Sequence, residues 1–198
     1  MKEYRFFEEG TIPEFTTPEW YETRERAPHL EQVGHRGRLL LAAELVNIAI
    51  SRGAESVCDL GAGDGGLLTL LGIENKWGYD LQPSNIQGAA ERGVEILLGN
   101  VVDNPKYLLM NSMDVLVMTE FLEHLVDPRD FLLKCRRSSA RWVVASSPCN
   151  ETPESHYENH CWGWDTEAYS SMLAECGWRV VETRIARKKY QVVLCECI

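Results

Sequence analysis

The chain has 198 residues, 44% hydrophobic and 25% charged, the make-up of one globular domain with a sizeable core. A net charge of −10 repels a phosphate backbone over most of the surface, which disfavours non-specific nucleic-acid binding without excluding a local basic groove. The apolar run LLLAAELVNIAI is too short to span a bilayer, MKEYRFFEEG does not read as a signal peptide, and seven irregularly spaced cysteines argue against a disulfide framework, so a cytoplasmic protein without a membrane partner is expected.

Residues 1–34 set aromatic side chains among Pro13, Pro18 and Pro28 without a period, and read as an irregular arm with one short helix. Trp20, Tyr21, His35 and Arg36 either close over a crevice as a lid or pack on the flank of a sheet. A domain over 35–198 follows, opening with the helical spacing of HRGRLLLAAELVNIAISRG, which Gly53 stops. SVCDL is a short buried strand, and a helix over GGLLTLL is expected directly after the glycines. KWGYDL is a second strand, SNIQGAAERG a helix capped by Ser84 and ended by Gly93, and VEILLG a third strand. MDVLVMT is a fourth strand, EFLEHL and PRDFLLKCRR are helical, and RWVVASSP is a fifth strand. Residues 147–164 read as a polar, aromatic loop. DTEAYSSMLAECG is a helix capped by Asp165 or Thr166, and WRVVETRIA with KYQVVLCECI form an antiparallel pair around a basic turn.

Strand and helix alternate, which implies an α/β fold with a parallel sheet and helices on both faces. Ligands of such sheets bind beyond the carboxyl ends of the strands. The stretch VCDLGAGDGG therefore places Gly61, Gly63 and Gly66 at a crevice, where glycine lets the backbone approach a ligand. These three satisfy G-x-G-x-x-G, and Asp80 ends the second strand nineteen residues later, a pattern that alone fits NAD. Two carboxylates oppose that reading, because Asp59 and Asp64 would repel a pyrophosphate.

VCDLGAGDGG, the acidic GYD strand end, DVLVMTEFLEHLVDP and VVASSP together resemble class I S-adenosylmethionine-dependent methyltransferases over roughly residues 35 to 197. The resemblance implies a single Rossmann-like domain whose seven-stranded, mostly parallel sheet carries its last strand antiparallel. It implies S-adenosyl-L-methionine as cofactor, with Gly61 and Gly63 beneath the methionine part and Asp59 near its amino group; Leu60 and Ala62 belong to the same segment. Asp80 would hold the ribose hydroxyls, Leu81, Asn100 and Val101 would meet the adenine, and Thr119 the methionine part.

On a helix, Glu120, Glu123 and His124 share one face at i, i+3 and i+4, beside the cofactor. Glu123 and His124 are the candidate catalytic pair, His124 as a metal-free general base in one reading. The segment also resembles small-RNA 3′-terminal 2′-O-methyltransferases and ubiquinone-pathway O-methyltransferases. The first resemblance implies a divalent metal (Mg, Mn or Zn) on Glu120, Glu123, His124 and His160, a mixed oxygen and nitrogen set that suits such ions. The bland alternative packs His160 against Trp162 and Trp164. The expected activity is methyl transfer to an oxygen or nitrogen of a small molecule. A metal-dependent RNA or nucleotide 2′-O-methyltransferase and a non-catalytic nucleotide-binding module are the alternatives.

Overall fold

A computed structural model describes residues 1–110 and 112–198. The elements run β1 (Glu3–Arg5), α1 (Pro18–Glu22), α2 (Val33–Ser51), β2 (Val57–Leu60), β3 (Lys76–Asp80), α3 (Pro83–Arg92), β4 (Ile96–Leu98), α4 (Tyr107–Met110), β5 (Val115–Thr119), α5 (Pro128–Cys135), β6 (Trp142–Pro148), β7 (Trp162–Trp164), α6 (Thr166–Glu175), β8 (Trp178–Ala186) and β9 (Tyr190–Cys197). Seven strands make one sheet in the order β4-β3-β2-β5-β6-β9-β8. From β4 to β6 neighbours pair parallel, while β9 lies antiparallel between β6 and β8. This is the sheet expected from the sequence. Its strand order reverses between β2 and β5, which puts a crevice at their carboxyl ends.

The core has two layers. Along β5, Val115 and Val117 join the layer beneath α2, and Leu116 and Met118 join the layer beneath α5 and α6. This is the period-two alternation of a strand covered on both faces, and it explains why VCDL and VLVMT are buried at every position. In α2, Leu39, Ala42, Val46 and Ala49 recur at helical spacing on the buried side.

Four local expectations differ from the structure. The segment after the glycines holds only a 3₁₀ turn, Leu68–Leu70, in place of a helix over 65–71. Fifteen residues must carry the chain from Leu60 back to Lys76, and the left-handed φ of Gly61, Gly63 and Gly65 uses the first of them for a loop. In α3 the N-cap is Gln82 with Pro83 in the first turn; Ser84 lies inside the helix and donates to the Arg24 carbonyl. EFLEHL is not one helix, because Glu120 has φ 52° and only Leu122–His124 form a 3₁₀ turn. Within the loop expected over 147–164, β7 pairs antiparallel with β1, so the N-terminal arm is stitched to the site-bearing loop. Gly93 ends α3 in the left-handed region and the Asp165 side chain caps α6, both as expected.

Candidate active site

A cavity of about 920 Å³ opens at the carboxyl ends of the central strands. Asp59, Gly61, Ala62, Gly63, Asp80, Leu81, Asn100, Val101 and Thr119 all line it, but Leu60 does not: its side chain is fully buried in the core. Residues 61–65 bend the chain beneath the cavity, where Gly61 has φ +70° and a Cβ would sit 2.7 Å from the Phe121 ring. The positive-φ glycines are 61, 63 and 65, and Gly66 is not among them, which favours the methyltransferase spacing over G-x-G-x-x-G.

Asp59 is 1% exposed and its Oδ1 has no partner. Burial, reinforced by the Asp80 carboxylate, pushes its pKa up to about 8. Asp80 accepts from the Gly63 and Gln82 amides, both at 2.8 Å, and from Asn85 Nδ2 at 3.1 Å. Its pKa is still raised, because burial outweighs those three bonds. A carboxylate has about four acceptor positions, so one remains for a ligand. Asn100 uses its side chain as an Asx turn, with Oδ1 accepting from the Val102 and Asp103 amides. Asp64 is 3% exposed and bridges Arg26 at 2.9 Å and Arg92 at 2.8 Å, tying the N-terminal arm and α3 to the loop; it is more than a helix N-terminal acid.

The structure brings Glu123, His124 and His160 together: one donor atom from each lies within 4.8 Å of the others. Glu120 stays outside this group. Its amide bonds the Ser146 carbonyl and Oγ, its carboxylate accepts from Ser146 Oγ at 2.9 Å, and Arg38 lies at 4.0 Å. Those bonds hold Glu120 off a helical conformation, so the three groups converge from a turn and a loop and not from one helix face. His124 Nδ1 lies 2.9 Å from the Asn159 carbonyl, which can only accept, so Nδ1 carries the proton and Nε2 is bare. His160 Nδ1 lies 2.6 Å from Glu151 Oε2 and by the same argument holds its proton there. The two rings meet edge to face at 4.8 Å, so His160 contacts His124 and Tyr157 while its neighbour Trp162 packs against Trp164.

Glu123 is fully buried with neither carboxylate oxygen partnered. Burial first, then the Glu120 charge, raises its pKa well above the carboxylate range. Burial and the His160 ring drive His124 down to about 3, which keeps it neutral and makes it a weak base. Two neutral imidazoles with oriented Nε2 atoms, beside an unpartnered carboxylate, fit a divalent cation. An outer acceptor on each Nδ1 is the usual support for a ligating histidine.

Three residues of this site escape the sequence. Glu151, which orients His160, lies in the loop after β6 and has no motif around it. Arg38 is 2% exposed on the cavity wall, whereas Arg36, the expected lid residue, is exposed and off it. Arg24 lies 3.9 Å over the Trp20 ring, next to Tyr21, whose phenol burial raises to about 12. Trp20, Tyr21 and His35 line the cavity as the lid reading requires.

A model of the methyltransferase domain matches residues 31–183. No curated protein sequence matches the chain significantly. Among solved structures, magnesium protoporphyrin IX methyltransferase from Synechocystis PCC 6803 aligns with TM-score 0.69 at 11% identity, covering 96% of this chain and 100% of that one. The [4+2]-cyclase SpnF aligns with TM-score 0.68 at 10% identity, over 89% and 85%. A putative methyltransferase of Haloferax volcanii, in complex with a methyltransferase activator, aligns with TM-score 0.65 at 18% identity, over 89% and 99%. These likenesses describe the fold, and the cyclase shows that the fold also carries other reactions. The domain match covers most of the chain, so it belongs to the methyltransferase-domain family, the class I S-adenosylmethionine-dependent methyltransferases that its motifs resemble.

Proposed function

We propose that the chain transfers the methyl group of S-adenosylmethionine to a hydroxyl oxygen of a small molecule, assisted by a divalent cation held by Glu123, His124 and His160. The observation that carries this reading is the pair of bare Nε2 atoms, each set by an acceptor on Nδ1, beside the unpartnered carboxylate of Glu123. When bound, a Mg²⁺, Mn²⁺ or Zn²⁺ ion would lower the pKa of the acceptor hydroxyl and hold its oxygen in place. The cofactor is already activated: the S–CH₃ bond breaks as the O–CH₃ bond forms, and the hydroxyl proton leaves.

The remaining work of the chain is alignment. In this reading Asp59 attracts the cofactor ammonium, Asp80 accepts from the ribose, and Leu81 and Val101 flank the adenine. Tyr21 and Trp20 roof the crevice and keep water from the sulfonium. The cofactor described in the Synechocystis enzyme is S-adenosylmethionine, which supports the same cofactor here. A cavity of about 920 Å³ suits that cofactor and a second small molecule together. A metal-free reaction with His124 as base is disfavoured by its pKa of about 3.

The ligand-like set of Glu123, His124 and His160 also favours a second reading, a ribose 2′-hydroxyl of RNA as acceptor, which the net charge of −10 opposes. Transfer of labelled methyl to a panel of small vicinal diols, nucleosides and short oligoribonucleotides tests both readings. Small diols are expected to be labelled, with labelling abolished by EDTA and restored by Mg²⁺ or Mn²⁺. Undiminished labelling in EDTA overturns the metal, and labelling of oligoribonucleotides alone moves the acceptor to RNA.

A further inference from the structure

Beyond the cofactor loop and the histidine pair, one part of the cavity wall is cationic and uncompensated. Arg38 is 2% exposed, lines the cavity, and its Nε has no hydrogen-bond partner. Its nearest polar neighbours are weak ones: Glu120 Oε2 at 4.0 Å and His29 Nδ1 at 3.4 Å. Glu120 is already engaged by Ser146. His35 stacks on His29 at 4.7 Å, and its buried Nδ1 also has no partner. The Lys189 ammonium lies 5.1 Å over the Tyr190 ring, and Lys189 has no ion pair among the described residues. His35, Lys189 and Tyr190 line the cavity and also a second cleft of about 470 Å³ beside it, so this wall is where the two meet. Arg38 and Lys189 both disfavour a charge on His35, which marks an uncancelled positive field.

We infer that Arg38, with His35 and Lys189, forms a receptor for an oxyanion. A buried guanidinium without a bonded carboxylate is costly, and a planar oxyanion would satisfy its fork. In a chain of net charge −10 the cluster also opposes the general field, which suits recognition more than solubility. The oxyanion comes from one of two sources: the carboxylate of the cofactor's methionine tail, or an acid group on the acceptor. Asp59, close enough to feel the Arg38 charge, would receive the ammonium if the methionine tail is the source. That source rests on the methyl-transfer reading; the acceptor source does not need the tail.

The test uses the full chain and four ligands. Calorimetry compares S-adenosylmethionine with its decarboxylated analogue. Thermal melts follow inorganic phosphate and benzoate, with and without saturating S-adenosylhomocysteine. If the cofactor tail is the source, the wild type prefers S-adenosylmethionine by about tenfold or more. Arg38→Met then erases the preference and Arg38→Lys keeps part of it. If the acceptor is the source, the two cofactor forms bind alike. Phosphate or benzoate then raises the melting temperature of the S-adenosylhomocysteine complex, and Arg38→Met and Lys189→Met lose that rise. Should Arg38→Met fail to fold, Arg38→Lys and the exposed-site Lys189→Met make the same comparisons. A wild type that shows neither the preference nor an anion-induced rise overturns the receptor, as does Arg38→Met that keeps both. If neither cofactor form binds, the methyl-transfer reading fails, while the anion melts still decide the Arg38 site.

Discussion

Asp80 accepts three protein N–H groups before any ligand arrives, so Asp80→Ala removes a ribose acceptor and also frees the Gly63 amide. Cofactor binding is expected to weaken by about 1–3 kcal/mol, read by calorimetry; unchanged affinity contradicts the ribose role. Asp59 gives a pH signature. Its folded pKa of about 8 lies above the unfolded value, so its contribution to stability is complete below about pH 4 and is lost as pH rises through 8. Ionised Asp59 is the form that attracts an ammonium. Cofactor affinity should therefore rise from about pH 6 to about pH 7.5, and Asp59→Asn should flatten the rise. An equal slope in wild type and variant counts against the assignment. Both carboxylates are legible in the sequence because each ends a strand at a fixed distance from the glycines. Arg38 and Glu151 are not, because nothing local distinguishes them: their meaning comes from what the fold sets opposite them.

At the scale of elements, apolar runs located the strands well, since a strand buried on both faces has no room for a polar run. Helix spacing misled at two places. EFLEHL carries an amphipathic pattern, but Ser146 on the neighbouring strand fixes Glu120 at φ 52°, and α5 begins only at Pro128, capped by Asp127. GGLLTLL buries Leu67, Leu68 and Leu71 without room for a full helix before β3. β7 was invisible because its partner, β1, lies at the far end of the chain. The arm is held by the Asp64 bridge as well. Asp64→Ala strands Arg26 and Arg92, and is expected to lower unfolding stability by about 1–2 kcal/mol in urea titrations, since both guanidinia stay partly solvated. It should also speed proteolysis within residues 1–30; stability and cleavage equal to wild type would leave the bridge without a structural role. Gly61→Ala combines a strained φ with a contact to Phe121, and should cost about 1–3 kcal/mol by the same assay.

At the scale of the molecule, the sheet reversal between β2 and β5 gathers three loops over one crevice: the glycine loop, the turn after β5 and the loop before β7. The glycine loop serves the cofactor, and the other two deliver Glu123, His124 and His160. This division explains why the fold and the cofactor half were readable while the acceptor was not. The cofactor imposes a fixed pattern along the chain, whereas the acceptor wall is assembled from the arm, α2 and the β8–β9 hairpin. The most direct test of the metal-assisted account is anomalous diffraction from crystals grown with Mn²⁺ and S-adenosylhomocysteine. The account predicts one peak in ligand contact with Glu123 and the Nε2 atoms of His124 and His160, lost in Glu123→Gln. Crystals with the cofactor product in place and no manganese between these three side chains would contradict it.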